Sequence, residues 1–531
     1  MTTLDDDTSL PTELAVNSLY MIFCTSLLFF CIIGISMFYS GLTQRRSSFL
    51  QLALPTILLP FIFIEWYIWG YSLCYSSSSN EYIGSLNFAV LRHLKEGATM
   101  VYSTPRGEIL SINHFLFTGL FKVICVGFTF PGCLGERGRF KPMLLFLFFW
   151  CTLIYNPVTY WFWNRNGWLS TELNKLPVLD FAGGNCIHIV SGFTALAYSY
   201  ILGPRNNKIL YNYKTSNNGF ILIGSFFVNF GWIGFIAGCD YKFSTYSIFI
   251  MVNTILCSCV SGVVWLAIDY YYSLTPLDDS QNHVDRRKIS VVSLCSGMMV
   301  GLVVITPAGG YISSPTGFWK SIVFGVIGGI SGNLATRLKF FFNIDDAFDI
   351  FAIHGVTGWV GSILTGIFAE QSYGSKGGWV SRNFLQICYQ LLGCTMTSVY
   401  VFVLTILFLY LIDLIPGCHL RIDKQFNKRI RQLNDDRELD IELSMSPTNV
   451  RPKNVGNEQE DLELNGADQY ELNGEYMMDY MEFIKVIKPE DYLDELSGKP
   501  SDYVTHPFML DLRQLSQQTQ VSQPSQGRKQ E

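Results

Sequence analysis

Asp180-Phe-Ala-Gly-Gly-Asn-Cys-Ile-His188, followed by Gly192, and Asp346-Ala-Phe-Asp-Ile-Phe-Ala-Ile-His354, followed by Gly358, share one pattern. Both read Asp, seven residues, His, three residues, Gly. Each copy opens a long apolar run. A helix that crosses a bilayer needs about 20 mostly apolar residues, and such runs lie near 17–40, 49–75, 113–134, 142–163 and 183–203. Six more follow near 218–239, 247–272, 289–309, 318–337, 350–369 and 385–416. The two copies therefore open the fifth and tenth of eleven expected transmembrane helices. This is the trace an inverted repeat of five plus five helices leaves, with a final helix added.

An odd number of crossings puts the termini on opposite faces. Basic residues collect in alternate loops: Arg45 and Arg46; Arg137, Arg139 and Lys141; Arg205, Lys208 and Lys214; Arg286, Arg287 and Lys288; Arg337 and Lys339. The positive-inside rule makes these loops cytoplasmic. The N-terminus, with Asp5, Asp6, Asp7 and Glu13 but no Lys or Arg, is then outside, and the C-terminus inside. Arg92, Arg106 and Lys376 lie in the opposite loops, so the bias is not absolute. In this orientation the fifth and tenth helices run in opposite directions. A histidine within a span either makes an interhelical hydrogen bond for packing or marks a pathway. Two at equivalent positions favour a pore-lining pair.

The composition agrees with a membrane body. Charged residues are only 15% of the chain, against about 25% in soluble proteins, and hydrophobic residues 49%. The net charge of -6 averages an almost uncharged body with an acidic tail, and nothing in it suggests nucleic-acid binding. The 14 cysteines are scattered singly and mostly within apolar runs, where they act as small hydrophobes. Neither a metal site nor a cofactor is expected. Residues 1–16 read as an extracellular N-terminus, 17–421 as the membrane domain and 422–531 as a cytoplasmic, largely disordered tail, since its polar composition buries too little to offset ordering. Within that tail, Tyr476 to Ile487 has the pattern of a short amphipathic helix.

The first copy of the pattern resembles the DFAGG…H signature of the ammonium transporter family (Amt/Mep/Rh), and the second, from Asp345, resembles that family's other histidine signature. Phe38-Tyr-Ser-Gly41, Gly70-Tyr-Ser-Leu73, Gly135-Glu-Arg137, Trp161-Phe-Trp163-Asn, Ile305-Thr-Pro-Ala-Gly309 and Ile415-Pro-Gly-Cys-His-Leu-Arg421 are similar to further family motifs. The likeness runs over about 17–421 and is greatest to the fungal Mep branch. It implies an all-α polytopic plasma-membrane protein that assembles as a homotrimer and moves ammonium or ammonia, with methylammonium as an analogue. It also implies His188 and His354 as twin pore histidines, Phe121 and Phe235 as stacked gate rings, and an outer recruitment site around Trp163, Phe117 and Cys239. Cytoplasmic regulators are the expected partners of the tail. No enzymatic constellation, neither a nucleophile–base pair nor a phosphate loop, stands out.

Asp180 and Asp346 carry two readings, electrostatic support of a cation site and capping of the helices they precede; capping has the greater weight. Three positions depart from the family. Cys239 stands where serine is usual and Ile236 where asparagine is usual, and a thiol is the weaker hydrogen-bonding group. Lys122 directly follows the gate residue Phe121, and a fixed cation in the pore would repel ammonium. A buried lysine needs a partner, and Glu65 in the second run is the expected one. These departures leave a second function open, a non-conducting or slow ammonium sensor of the same fold.

Overall fold

The computed structural model describes residues 10–78, 80–94, 98–100, 107–173, 175–205, 210, 213–272, 287–372, 374–421 and 466–472. The amphipathic stretch Tyr476–Ile487, and the rest of the expected tail apart from 466–472, lie outside them. The described chain is almost wholly helical, with one two-residue antiparallel ladder between Thr99–Met100 and Ile109–Leu110. Ten helices are long and apolar enough to cross a membrane among the described residues. In chain order they are α1 Thr12–Leu42, α2 Arg45–Tyr75, α3 Ser111–Leu134, α4 Phe140–Trp163, α5 Gly184–Leu202, α6 Asn218–Asp240, α7 Thr245–Tyr272, α9 Phe318–Phe342, α10 Phe351–Phe368 and α11 Leu385–Asp413. Between α7 and α9 lies α8, Val291–Ile305, a shorter apolar helix.

The apolar run expected at 289–309 is thus cut short. Pro307 has no N–H to donate back to the Val303 carbonyl and so cannot extend the ladder; the chain leaves α8 at Ile305 and re-coils as a 3-10 turn over Gly309–Ile312. Other boundaries have local causes too. The Asn217 side chain accepts from the Gly219 and Phe220 amides at the start of α6, and Ser290 accepts from Ser293 at the start of α8. Gly135, left-handed at φ 46°, ends α3.

α3 is the centre of the bundle: every residue from Phe117 to Leu134 is buried. Around it, α1 and α6 pack backbone against backbone, because small residues let membrane helices approach closely. A Cβ on Gly34 would lie 2.6 Å from the Val228 amide nitrogen, and one on Gly224 2.5 Å from that of Phe38.

The basic loops are tied together at one end. Arg205, 8% exposed, bonds the Glu136 carboxylate at 2.9 Å and Asp345 through its own amide, Nε and Nη2 at 2.8–2.9 Å. Burial pushes the Asp345 carboxyl up, but Arg205 and then Arg137 outweigh it and hold it at about 2. Arg421, beyond α11, donates to the Leu202 and Pro204 carbonyls. At the same end a short helix, α12 Ala467–Glu471, is seated on the start of α2. Its Asp468 carboxylate accepts from the Phe49 and Leu50 amides at 2.9 and 2.8 Å, and Glu471 lies 3.6 Å from Arg139.

Candidate functional site

α5 and α10 each begin with a single π-helical turn, Gly184–Ile189 and Phe351–Val356, and each turn carries one histidine of the repeated pattern. The wider turn is a feature that recurs at functional sites. It brings His188 and His354, both fully buried, to 3.2 Å between their Nδ1 atoms, with rings 21° from parallel. A hydrogen bond between two neutral imidazoles needs one donor and one acceptor nitrogen, so the two rings hold opposite tautomers. Tyr39 Oη lies 3.5 Å from His354 Nε2, while His188 Nε2 is buried with no hydrogen-bond partner among the described residues. The close approach depends on glycine: a Cβ on Gly192 would lie 2.2 Å from the Gly355 amide nitrogen.

A ladder of aromatic rings leads to this pair. Trp232 of α6 lies parallel to His188 at 5.6 Å, and Phe128 of α3 covers His354 at 4.5 Å. One step further, Trp232 meets Phe235 at 4.7 Å, and Phe235 stacks on Phe121 at 4.1 Å with only 5° between the rings. Phe121 then meets Phe117 at 4.7 Å and Trp163 at 6.1 Å. The helix period explains the alignment: Phe117, Phe121 and Phe128 share a face of α3, and Trp232 and Phe235 a face of α6. Trp163, at the end of α4, is held by its indole nitrogen, which donates to the Asp180 carbonyl at 2.9 Å.

The Asp180 carboxylate, nearly buried, accepts from the amides of Gly183, Gly184, Asn185 and Cys186 at 2.6–3.3 Å. Burial raises its carboxyl above the ordinary range while these four amides pull it down. Asp346 likewise accepts from the Phe351 amide at the start of α10. Both carboxylates are therefore seated as caps. Cys239, at the end of α6, is buried, and its thiol donates back to the Phe235 carbonyl at 3.4 Å. Ile236 is buried beside Phe181, where a Cβ on Gly309 would touch both.

Lys122 meets Glu65, and the pair stands on the side of α3 that faces α2 and α4. The neighbouring Phe121 turns to α6. Asn156 of α4 completes the cluster: its Oδ1 accepts from Lys122 at 2.8 Å and its Nδ2 donates to Glu65 at 3.0 Å. Sequence reasoning missed Asn156, Tyr39, Phe128 and Trp232 as members of these two sites. Tyr39 and Trp232 stand in glycine-flanked motifs, and Phe128 lies seven residues after Phe121, which was the available signal. Among the described residues no three His, Cys, Asp or Glu side chains converge as metal ligands.

A family model described as "Ammonium Transporter Family" matches residues 19–430. "Ammonium transporter 1" of Schizosaccharomyces pombe is 36% identical over 410 residues, covering 76% of this chain and 77% of its own. The crystal structure of Saccharomyces cerevisiae Mep2 superposes with a TM-score of 0.68 at 32% identity, over 78% of this chain and 89% of that one. A structure titled "Sensor Amt Protein" has the same fold, with a TM-score of 0.65 at 24% identity over 78% of this chain and 97% of its own.

Proposed function

Because the chain belongs to the ammonium transporter family, we propose that it moves ammonium across a membrane by way of the aromatic ladder and the His188–His354 pair. The observation that carries this reading is the continuity of Trp163, Phe121, Phe235, Trp232 and the two histidines along one line. An ammonium ion arriving at Trp163 gains cation–π attraction of about 0.5–2 kcal/mol in place of lost water. The stacked Phe121 and Phe235 rings bar its way as the outer gate, with Phe117 and Cys239 beside it. Carrying the intact ion through an apolar passage costs several kcal/mol. Ammonium has a route closed to potassium, since it can release its proton and pass as neutral ammonia. The His188 Nε2 then meets the neutral guest, and passing the shared Nδ1 proton across reverses both tautomers only as a proton enters at the Nε2 of one ring and leaves from the Nε2 of the other. Tyr39 fixes the far end of that pair.

In this reading eleven helices cross the membrane, α8 as the shortest, with the N-terminus outside and the basic loops, the Arg205 cluster and the tail in the cytoplasm. The chain acts as a homotrimer in the plasma membrane, with one pore per subunit, and regulators act through the tail. The sensor reading rests on Cys239, whose thiol is engaged with its own helix rather than offered to an incoming ion. Lys122 no longer favours it, because Glu65 neutralises that charge on the side of α3 turned from Phe235.

The test is the current in proteoliposomes after an ammonium concentration jump, with the His188→Ala, His354→Ala double variant as control. A saturable current, absent with potassium and lost or made unselective in the variant, establishes transport. Silence from folded protein, with no ammonium-driven change of internal pH either, favours the sensor.

A further inference from the structure

The surroundings of Lys122 have the make-up of a binding site for a free ammonium ion. Its Nζ has three N–H donors, and three acceptors meet it: Glu65 Oε2, Asn156 Oδ1 at 2.8 Å and the Cys151 carbonyl at 3.4 Å. Two aromatic faces, Trp66 and Tyr155, each lie 5.2 Å from the same nitrogen, which adds cation–π attraction to a desolvated charge. Lys122 is wholly buried and Glu65 is 6% exposed, so water does not supply these interactions.

The backbone is shaped for the cluster as well. A π turn follows Glu65 at Trp66–Gly70, and another precedes Asn156 at Cys151–Tyr155, so both partner helices are widened at this level. Gly70 keeps the space open, since a Cβ there would lie 2.6 Å from Glu65 Oε2. Gly119 does the same on α3, where a Cβ would meet the Trp66 ring at 2.8 Å. A carboxylate, an amide oxygen, a carbonyl and two ring faces around one nitrogen make an ammonium receptor.

We propose that Glu65, Asn156, the Cys151 carbonyl, Trp66 and Tyr155 form a second cation site, specific for ammonium and primary alkylammonium groups, which the chain fills with its own tethered ammonium at Lys122. The site lies one residue behind the outer gate ring Phe121. Self-occupation keeps a dehydrated substrate ion from lodging there, and it does so whether the protein transports or senses. The inference therefore stands apart from the transport reading.

Chemical rescue tests it. Lys122→Ala deletes Cγ, Cδ, Cε and Nζ, the four heavy atoms of propylammonium. The full-length protein and this variant are purified in detergent, and thermal unfolding is followed as propylammonium chloride is titrated, against potassium chloride, tetramethylammonium chloride and 1-propanol. Lys122→Ala should melt below wild type and gain a few degrees with propylammonium alone, because a ligand that binds only the folded state raises Tm. Wild type, its site already filled, should gain less, and adding Glu65→Gln to the variant should abolish the gain. An equal shift in wild type, or no shift in the variant, overturns the proposal. Should Lys122→Ala not fold in any of these salts, the volume-matched Lys122→Met decides. Recovery on adding Glu65→Gln supports Lys122 as the site's cation; a doubly neutral chain no better folded than Lys122→Met overturns it.

Discussion

Replacing Arg205 by alanine removes one guanidinium and strands two carboxylates. Glu136 is 1% exposed and otherwise accepts from the Gln44 amide at 2.9 Å, while both oxygens of Asp345 are taken up by Arg205. Breaking a buried ion pair from one side costs about 3–5 kcal/mol, because the charge left behind has lost its compensation. With an unfolding entropy of about 2 cal/mol/K per residue over about 400 residues, that cost lowers Tm by about 5 °C. The sign of the pH dependence follows from Asp345. Its carboxyl in the folded protein, at about 2, is below the ordinary 3.8. Its contribution is therefore full above the ordinary carboxylate range and is lost as pH falls towards 2. Arg205→Ala forfeits that contribution of Asp345, so the gap between wild type and variant should be widest near neutrality and narrow as pH falls below about 4. Differential scanning fluorimetry in detergent from about pH 3 to 8 measures it. A variant that melts within about 1 °C of wild type at pH 7, or a gap that widens on acidification, would mean that the cluster contributes nothing of this kind.

Two further substitutions probe the candidate pore. Gly192→Ala pushes α5 from α10 where the new Cβ would meet Gly355 at 2.2 Å, so the His188–His354 contact should open and the ammonium current fall at least about tenfold, overpacking costing about 1–3 kcal/mol; a wild-type current from this variant contradicts the assigned geometry. Asp180→Ala leaves four amides without their acceptor and should cost about 2 kcal/mol in thermal unfolding, whereas Asp180→Asn, which keeps one acceptor oxygen but turns its NH2 towards two of the amides, should cost less than the Ala variant and retain current; a folded but silent Asn variant would instead give the carboxylate an electrostatic role.

The membrane helices were legible because a bilayer leaves a chain few alternatives, and a long apolar run has little other use. The histidine pair was legible for the same reason, each ring being an expensive group repeated at one position. Glu65 and Lys122 found each other in the sequence by necessity, as two charges with no water to turn to. What escaped was whatever carried no such cost. Asn156 precedes a proline and looks like a helix boundary, yet α4 continues through it as the third member of the charged cluster. Trp232 and Phe128 are lost among 11 tryptophans and 41 phenylalanines, and only packing separates those that line the ladder from those that fill the core. Asp468 sits in a tail whose composition argues against order, and nothing in the sequence pairs it with amides of α2 more than 400 residues away.

The seams between the two five-helix halves bear on how such a molecule works. α1 meets α6 with backbone against backbone at Gly34 and Gly224, and α5 meets α10 the same way at Gly192. Alternating access by rocking one half against the other would have to part both seams at once, leaving surfaces with no side chains to refill the gap. A protein zipped this way has little to gain from large cyclic motion. Under the proposed transport, turnover would fall to rotations of single rings, and its dependence on temperature and on bilayer stiffness should be that of a channel rather than of a rocking carrier.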